Sequence, residues 1–377
     1  MRASRTALRT LAALATTAGL LRGLPAFAQV TPAAGYTPPD DTPTIKVGTT
    51  IFSDYTYTDE PLSPDTDGNL VHQSVFNVSR AYINVTGNVS HNVSFRVTPD
   101  ITSAKNTGAT SSLEGSLVFR LKYAYGQFNL DEKWASKGSW VRFGEHHTPY
   151  VDWEEGVYRY RFQGQIFVER DGPALKGSFV SSSDFGVSTH YNFKGNYGDV
   201  HGGYYNGDTY KNTDVTDQKA VQLRATLRPL PTAGVLKGLR LTAFYDADNY
   251  FRGDARRRFI YAATFEHKYV NAGFEHLDAT DQGTAAALKV NAQGYSVWAT
   301  PRFPKGWEAL LRYDHFKPNK DVNAAKDRKI AGIAYWFKSQ QAPATAAVLL
   351  DYENVTYDTT LAPDDEKRYA VHTLFNF

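Results

Sequence analysis

From Ile45 to Phe377 the chain is a series of short segments in which apolar and polar residues alternate, separated by polar turns. A period of two is the pattern of a β-strand with one dry and one wet face. The last segment is the clearest: Tyr369, Val371, Thr373, Phe375 and Phe377 fall on one face, Arg368, Ala370, His372, Leu374 and Asn376 on the other. Ile45, Val47, Thr49 and Ile51 alternate with Lys46 and Gly48, and Val221, Leu223, Ala225 and Leu227 with Gln222, Arg224, Thr226 and Arg228. Leu117, Phe119, Leu121, Tyr123 and Tyr125 alternate with Val118, Arg120, Lys122, Ala124 and Gly126. The polar face repeatedly carries arginine, and no convincing long stretch of helical period interrupts the series.

The connections fall into two length classes that take turns. Short ones lie near 87–88, 129–139, 194–199, 230–238, 267–268, 301–306 and 338–344; long ones near 58–73, 100–115, 146–183, 207–219, 250–257, 279–293, 317–328 and 359–367. Seven short and eight long connections join sixteen strands. An even count, with short turns on one side and long loops on the other, is the layout of a single-chain outer-membrane barrel. A soluble β-sandwich also alternates, but it has no reason to keep strict short/long parity. The expected fold is therefore all-β, a transmembrane antiparallel β-barrel of about 16 strands.

Composition sharpens this picture. The 377 residues include 24 Tyr, 22 Phe and no Cys. No run approaches the roughly 20 apolar residues of a membrane-spanning helix, and the lack of Cys removes disulfides, thiolate metal sites and cysteine nucleophiles. Residues 1–28 have the layout of a signal peptide: Arg2, Arg5 and Arg9, an apolar stretch from Leu11 to Leu21, and the small-residue site Ala26-Phe27-Ala28. Removing them with their four Arg and no acid changes the formal charge from +2 to −2, which excludes a polybasic nucleic-acid binder. A Pro-rich stub, 29–43, then precedes the barrel, 44–377.

A strand in hydrocarbon must pair every backbone group, so the sheet has to close. At sixteen strands the interior is wide enough for an aqueous channel. Aromatics near strand ends, Tyr55, Tyr57, Tyr123, Tyr125, Tyr191, Phe193, Tyr335, Trp336, Phe337, Phe375 and Phe377, suit interfacial girdles. Directing every apolar face to lipid sends Lys46, Arg80, Arg96, Arg120, Lys122, Arg142, Arg224, Arg228, Arg240, Arg258, Arg312, Lys329 and Arg368 into the lumen. The acids Asp54, Asp246, Glu266, Glu275, Glu308, Asp314, Asp351 and Glu353 go with them, so the wall is net positive although the mature chain is not. Arg80, Arg96, Arg120, Lys122 and Arg142 come from successive strands and should share one sector, the arrangement by which charged rings select anions.

The longest connection, 146–183, exceeds what a passive loop needs and is expected to fold inward as a constriction. Thr148 before Pro149 is placed to cap a short helix. If Asp152, Glu154 and Glu155 face the throat, a transverse field results; if Arg159 and Arg161 face it, anion preference is reinforced.

Ser79-Arg80-Ala81-Tyr82-Ile83-Asn84-Val85-Thr86-Gly87, Phe95-Arg96-Val97-Thr98-Pro99-Asp100, Tyr204-Tyr205-Asn206-Gly207 and Arg224-Ala225-Thr226-Leu227-Arg228-Pro229 resemble stretches of the phosphate- and polyphosphate-selective porins of Gram-negative outer membranes. The ending, Phe377 with Tyr369 before it, resembles the signal read by barrel-assembly machinery. The resemblance implies a homotrimeric outer-membrane porin whose third long loop folds inward. It does not imply phosphate, because the arginine ladder and loop lysines of the selective members have no residue-by-residue match here.

The expected function is a water-filled channel for passive diffusion of small hydrophilic solutes, leaning to anions such as phosphate, without metal or cofactor. Outer-membrane lipid, other copies of the chain and the assembly machinery are the expected partners. A non-selective pore is one alternative. A barrel hydrolase is the other, but His146-His147, His190, His267, His276, His315 and His372 show no spacing that pairs them with a serine and an acid.

Overall fold

The computed structural model describes residues 41–377 apart from 106–111, 131–135, 176, 213–215, 250, 338–343 and 362. The expected signal peptide and nearly all of the Pro-rich stub lie outside the described residues.

Sixteen antiparallel strands close into one barrel, each hydrogen-bonded to its neighbours in sequence and β1 to β16. They are β1 (Thr44–Pro64), β2 (Leu70–Ser90), β3 (Val93–Ser103), β4 (Leu117–Asn129), β5 (Trp140–His147), β6 (Ser183–Asn192), β7 (Gly198–Tyr205) and β8 (Ala220–Leu227). The circuit continues with β9 (Leu239–Asp248), β10 (Arg256–His267), β11 (Val270–Asp281), β12 (Val290–Pro301), β13 (Trp307–Lys317), β14 (Lys326–Phe337), β15 (Thr345–Tyr357) and β16 (Glu366–Asn376). Closure leaves no open edge, as lipid requires. The seam is tightened where the Phe377 N–H donates to the Thr49 carbonyl at 2.9 Å and the Thr49 N–H returns to Phe377 at 3.2 Å. Gly48 sits beside that seam, where a Cβ would strike the Phe377 carbonyl.

Strand parity follows from burial. Leu121, Leu223 and Leu350 point outward at 49–53% exposure, while Lys122, Arg224 and Leu349 point inward at 0–3%. Two expected connections differ. The segment 58–73 is mostly strand: β1 and β2 run on as a paired ribbon to a turn at 65–69, with an irregularity between Thr58 and Ser63. Its prolines and glycine read as a loop, yet a two-stranded ribbon tolerates Pro wherever the N–H faces away from its single partner. Gly87 and Asn88 likewise lie within β2, and the turn falls at His91-Asn92.

The long segment between β5 and β6 enters the barrel. It forms α1 (Pro149–Val157) and a single-turn α2 (Phe167–Arg170). Pro149 starts α1, where its missing N–H costs nothing. Thr148 makes no capping bond; its hydroxyl donates to the Ser181 carbonyl and ties the two ends of the loop together.

Candidate functional site

Most of the expected lumen residues do face inward, and one break in the alternation rearranges the rest. Thr98 pairs with Tyr123 but Pro99 with Leu121, so Lys122 is an extra residue in β4. Pro99 cannot donate to the ladder, and a bulge is where a strand accommodates that. Beyond it the parity flips: Tyr123 is buried at 3% exposure and Tyr125 turns inward, while Phe128 faces out at 52%. Tyr123 and Tyr125 are therefore wall residues of the lumen, not girdle residues. Trp336 also points inward, onto Tyr160 and Phe162 at 5.7 Å, and Lys329 points outward, its neighbour Arg328 taking the inward place. Phe337, Phe375 and Phe377 remain on the outer face.

The loop does not hang in the channel; it is pressed against one side of it. One stripe of α1, Tyr150, Val151, Glu154 and Val157, is buried at the spacing of a helix face. Tyr150 donates to Glu275 at 2.8 Å, and burial, then Glu275 beside it, pushes the Glu154 carboxyl well above its ordinary range. Tyr158 meets Trp298 edge-on, Phe162 approaches Phe52 at 6.4 Å, and Phe179 packs on Phe316. The inward faces of β9–β16 are apolar where the loop lands: Phe244, Ile260, Leu277, Leu310, Ile330, Ala334 and Leu349 belong to one cluster with it. Buried ion pairs fix the far end. Arg170 reaches Glu353 at 2.5 Å, and Asp171 accepts from Lys326 at 2.5 Å and Arg328 at 2.8 Å. Although burial opposes its charge, Arg328 and Lys326 hold Asp171 below its usual range.

The two halves of the wall treat their arginines differently. On β9–β15 Arg240 pairs with Glu266, Arg256 with Asp248 at 2.5 Å, Arg258 with Asp281 at 2.7 Å, and Arg312 with Asp314 at 2.8 Å. On β2–β5 the partners are rings. Arg80 lies over Tyr82 at 5.2 Å, Arg96 over Tyr123 at 4.6 Å, Lys122 over Tyr82 at 4.9 Å, and Arg120 over Tyr210 at 4.7 Å. Arg142 is stacked 3.8 Å from Trp140 and 4.9 Å from Tyr125. Among the described residues no carboxylate lies within 4.0 Å of Arg80, Arg96, Arg120 or Lys122. A ring face steadies a cation without cancelling its charge.

Between this wall and the loop the lumen narrows into two chambers. The one toward the short turns, about 620 Å³, is lined by Lys46, Arg96, Arg142, Arg224, Arg228 and Arg240 against Asp152, Glu155 and Asp199. Toward the long loops, about 440 Å³ is lined by Arg80, Arg120, Arg161, Arg170, Lys211 and Arg368 against Asp54, Asp100, Asp351 and Glu353. Both have a surplus of bases. The expected loop residues divide: Asp152 lies 3.9 Å from Arg142 and faces the basic wall, whereas Glu154 faces the docking side. Arg159 docks too, 3.3 Å from Glu308 and over Trp336 at 4.3 Å. Arg161 stays at the throat, bound to Glu155 at 2.6 Å and Glu169 at 2.7 Å. Burial opposes the Glu155 charge, but Arg161, then Lys122 and Arg80, hold its carboxyl below the usual range.

Arg224 and Arg240, expected as open cations, are largely taken up. Arg224 pairs with Asp199 and donates to the Pro149 carbonyl at 2.9 Å, which seats the start of α1. Asp199 itself was not singled out from the sequence, nor was the row Trp140, His190 and His201, in which Trp140 stacks on His190 at 5.2 Å. Ser188 sits between His146 at 2.6 Å and His201 at 3.1 Å, a contact that strand register alone creates. It is buried at 3% exposure, and His146 turns its other nitrogen to the Gly144 carbonyl, not to an acid. The arrangement lacks the orienting carboxylate and the approach that a hydrolytic site needs.

No family profile matches the chain, and no curated protein sequence does. Solved structures do. The anion-selective porin from Comamonas acidovorans superposes with a TM-score of 0.61 at 11% identity, over 89% of this chain and 100% of that one. OmpF of Salmonella typhi, solved with daunomycin, gives 0.57 at 13% over 88% and 97%. The outer membrane channel DcaP of Acinetobacter baumannii gives 0.53 at 13% over 91% and 100%. At such identity the likeness is one of fold: the chain has the sixteen-stranded barrel of outer-membrane porins.

Proposed function

We propose that this barrel is an outer-membrane channel for passive diffusion of small hydrophilic solutes in which anions are favoured. The observation that carries the reading is the row Arg80, Arg96, Arg120 and Arg142, cations backed by aromatic rings that line the two chambers. In a narrow, low-dielectric passage such charges act more strongly than in bulk water. Of the loop acids at the throat, Glu155 and Glu169 are engaged by Arg161 from the loop itself, and Asp152 faces Arg142 at 3.9 Å. The surplus of bases in both chambers supports the same sign.

Export with cleavage after Ala28, assembly through the terminal Phe377 and a homotrimeric state belong to this reading and rest on the sequence resemblance. The finer phosphate preference also rests on it. The test is the zero-current potential of the reconstituted channel under a KCl gradient, repeated with phosphate in place of chloride. A chloride preference is expected; a potassium preference contradicts the reading. A phosphate current that saturates well below the chloride current at equal concentration supports the finer assignment, and equal behaviour removes it.

A further inference from the structure

The larger chamber holds several N–H donors that find no acceptor among the described residues. Besides Arg228 and Arg240 they include the four on the loop side and on β5: the indole Nε1 of Trp140, the indole Nε1 of Trp153, the Nη1 of Arg142 and the Nδ1 of His147. Trp140, Arg142 and His147 are 3%, 6% and 8% exposed. The His147 proton is fixed by its surroundings: Arg96 can only donate, and its Nη1 lies 3.3 Å from His147 Nε2, so Nε2 accepts and Nδ1 carries hydrogen. Buried donors are almost always satisfied, and four gathered on one chamber call for an acceptor. Asp152 stands closest, yet at 3.9 Å from Arg142 and 3.8 Å from His147 it is outside hydrogen-bond range of both.

We propose that this chamber binds a small organic carboxylate with a flat apolar body, its oxygens taken by Arg142, His147 and the two indole N–H groups. Phe95, Tyr125 and Trp153 line the same chamber, so apolar surface adjoins the oxyanion position, and about 620 Å³ is far more than a carboxylate alone fills. Asp152 is then a built-in competitor that repels the ligand and keeps the affinity low enough for the solute to leave. The inference deepens the anion-channel reading and rests on it for the sign of the charge.

Tryptophan fluorescence of the purified full barrel in detergent, titrated with benzoate, acetate and inorganic phosphate, tests it. Benzoate is expected to bind saturably and at least ten-fold more tightly than acetate or phosphate. Arg142→Gln is expected to weaken it ten-fold or more. Asp152→Asn is expected to tighten it three-fold or more, a gain that misfolding cannot mimic. Equal binding of benzoate and acetate, tighter binding of phosphate, or an Asp152→Asn variant without gain would each overturn the proposal. Should Arg142→Gln fail to assemble, Asp152→Asn decides alone. The zero-current potential of the same preparation separates the two readings: a chloride-selective channel indifferent to benzoate removes this inference only, and a potassium-selective one removes the anion reading.

Discussion

The lumen has two walls that use the same residue type to opposite ends. Along β9–β15 every inward arginine named above has a carboxylate partner, and apolar inward side chains between these pairs receive the loop. Along β2–β5 Arg80, Arg96, Arg120 and Arg142 rest on Tyr82, Tyr123, Tyr125, Trp140 and Tyr210, and among the described residues only Arg142 has a carboxylate, Asp152, within 4.0 Å. Counting bases and acids around the whole barrel therefore misplaces the field: on the docking wall bases and acids pair off, whereas on β2–β5 the cations rest on rings, with Asp100, Asp152 and Glu155 the acids nearest them. One wall receives the loop, and the other carries ring-backed cations along the passage; on the function proposed above, those cations give it its sign.

The largest effect is expected from the docking wall. Asp171→Ala leaves Lys326 and Arg328 buried beside Arg170 without one of their anions, and breaking a buried pair on one side costs about 3–5 kcal/mol. The loop should detach, with single-channel conductance rising severalfold and thermal stability falling. An unchanged conductance would show that the apolar contacts alone hold it.

Acidity should act on the two ends of the loop in opposite directions. Asp171 is depressed, so its contribution to docking is present above its ordinary 3.8 and is lost only as pH falls through a still lower value. Glu154 is raised, so its contribution is complete below its ordinary 4.5 and is lost as pH rises through the raised value. Current noise from loop motion should thus grow toward alkaline pH and stay low at pH 5, and Glu154→Gln should remove the alkaline rise. Noise that is flat with pH in the wild type would contradict this.

The smallest effect is a matter of register. In this Cys-free chain, Tyr125→Cys should react with a membrane-impermeant thiol reagent whereas Leu121→Cys, four residues away, should not. Unbroken alternation would put both on the lipid side, so equal protection of the two would abolish the bulge and the ring-backed wall with it.

That bulge marks the limit of what the sequence disclosed. The strand count and the inward loop were legible, because each follows from local periodicity and spacing; the alternation of short and long connections was legible except at the first pair, where 58–73 is mostly strand and 87–88 lies within β2. Strand order likewise puts Arg80, Arg96, Arg120, Lys122 and Arg142 on neighbouring strands, β2 to β5. The switch of Tyr123 and Tyr125 hangs on one extra residue opposite Pro99, which a period-two reading passes over. Which arginines are paired depends on register across strands, as for Arg258 with Asp281, and on the path of the loop, as for Arg328 with Asp171. The docking face was hidden for a simpler reason: Ile260, Leu310 and Leu349 are apolar on the side where a water-filled lumen calls for polar residues, and they are dry because the loop covers them.

The division of labour between the walls is tested most directly by the zero-current potential under a KCl gradient for three proteins. These are the wild type, Arg80→Gln with Arg120→Gln on the ring-backed wall, and Arg258→Met with Asp281→Leu, which deletes a docking-wall ion pair whole. The wild type should favour chloride, the first double variant should lose most of that preference, and the second should keep it. A wild type that favours potassium, or two variants that shift the potential equally, would contradict the assignment of selectivity to β2–β5.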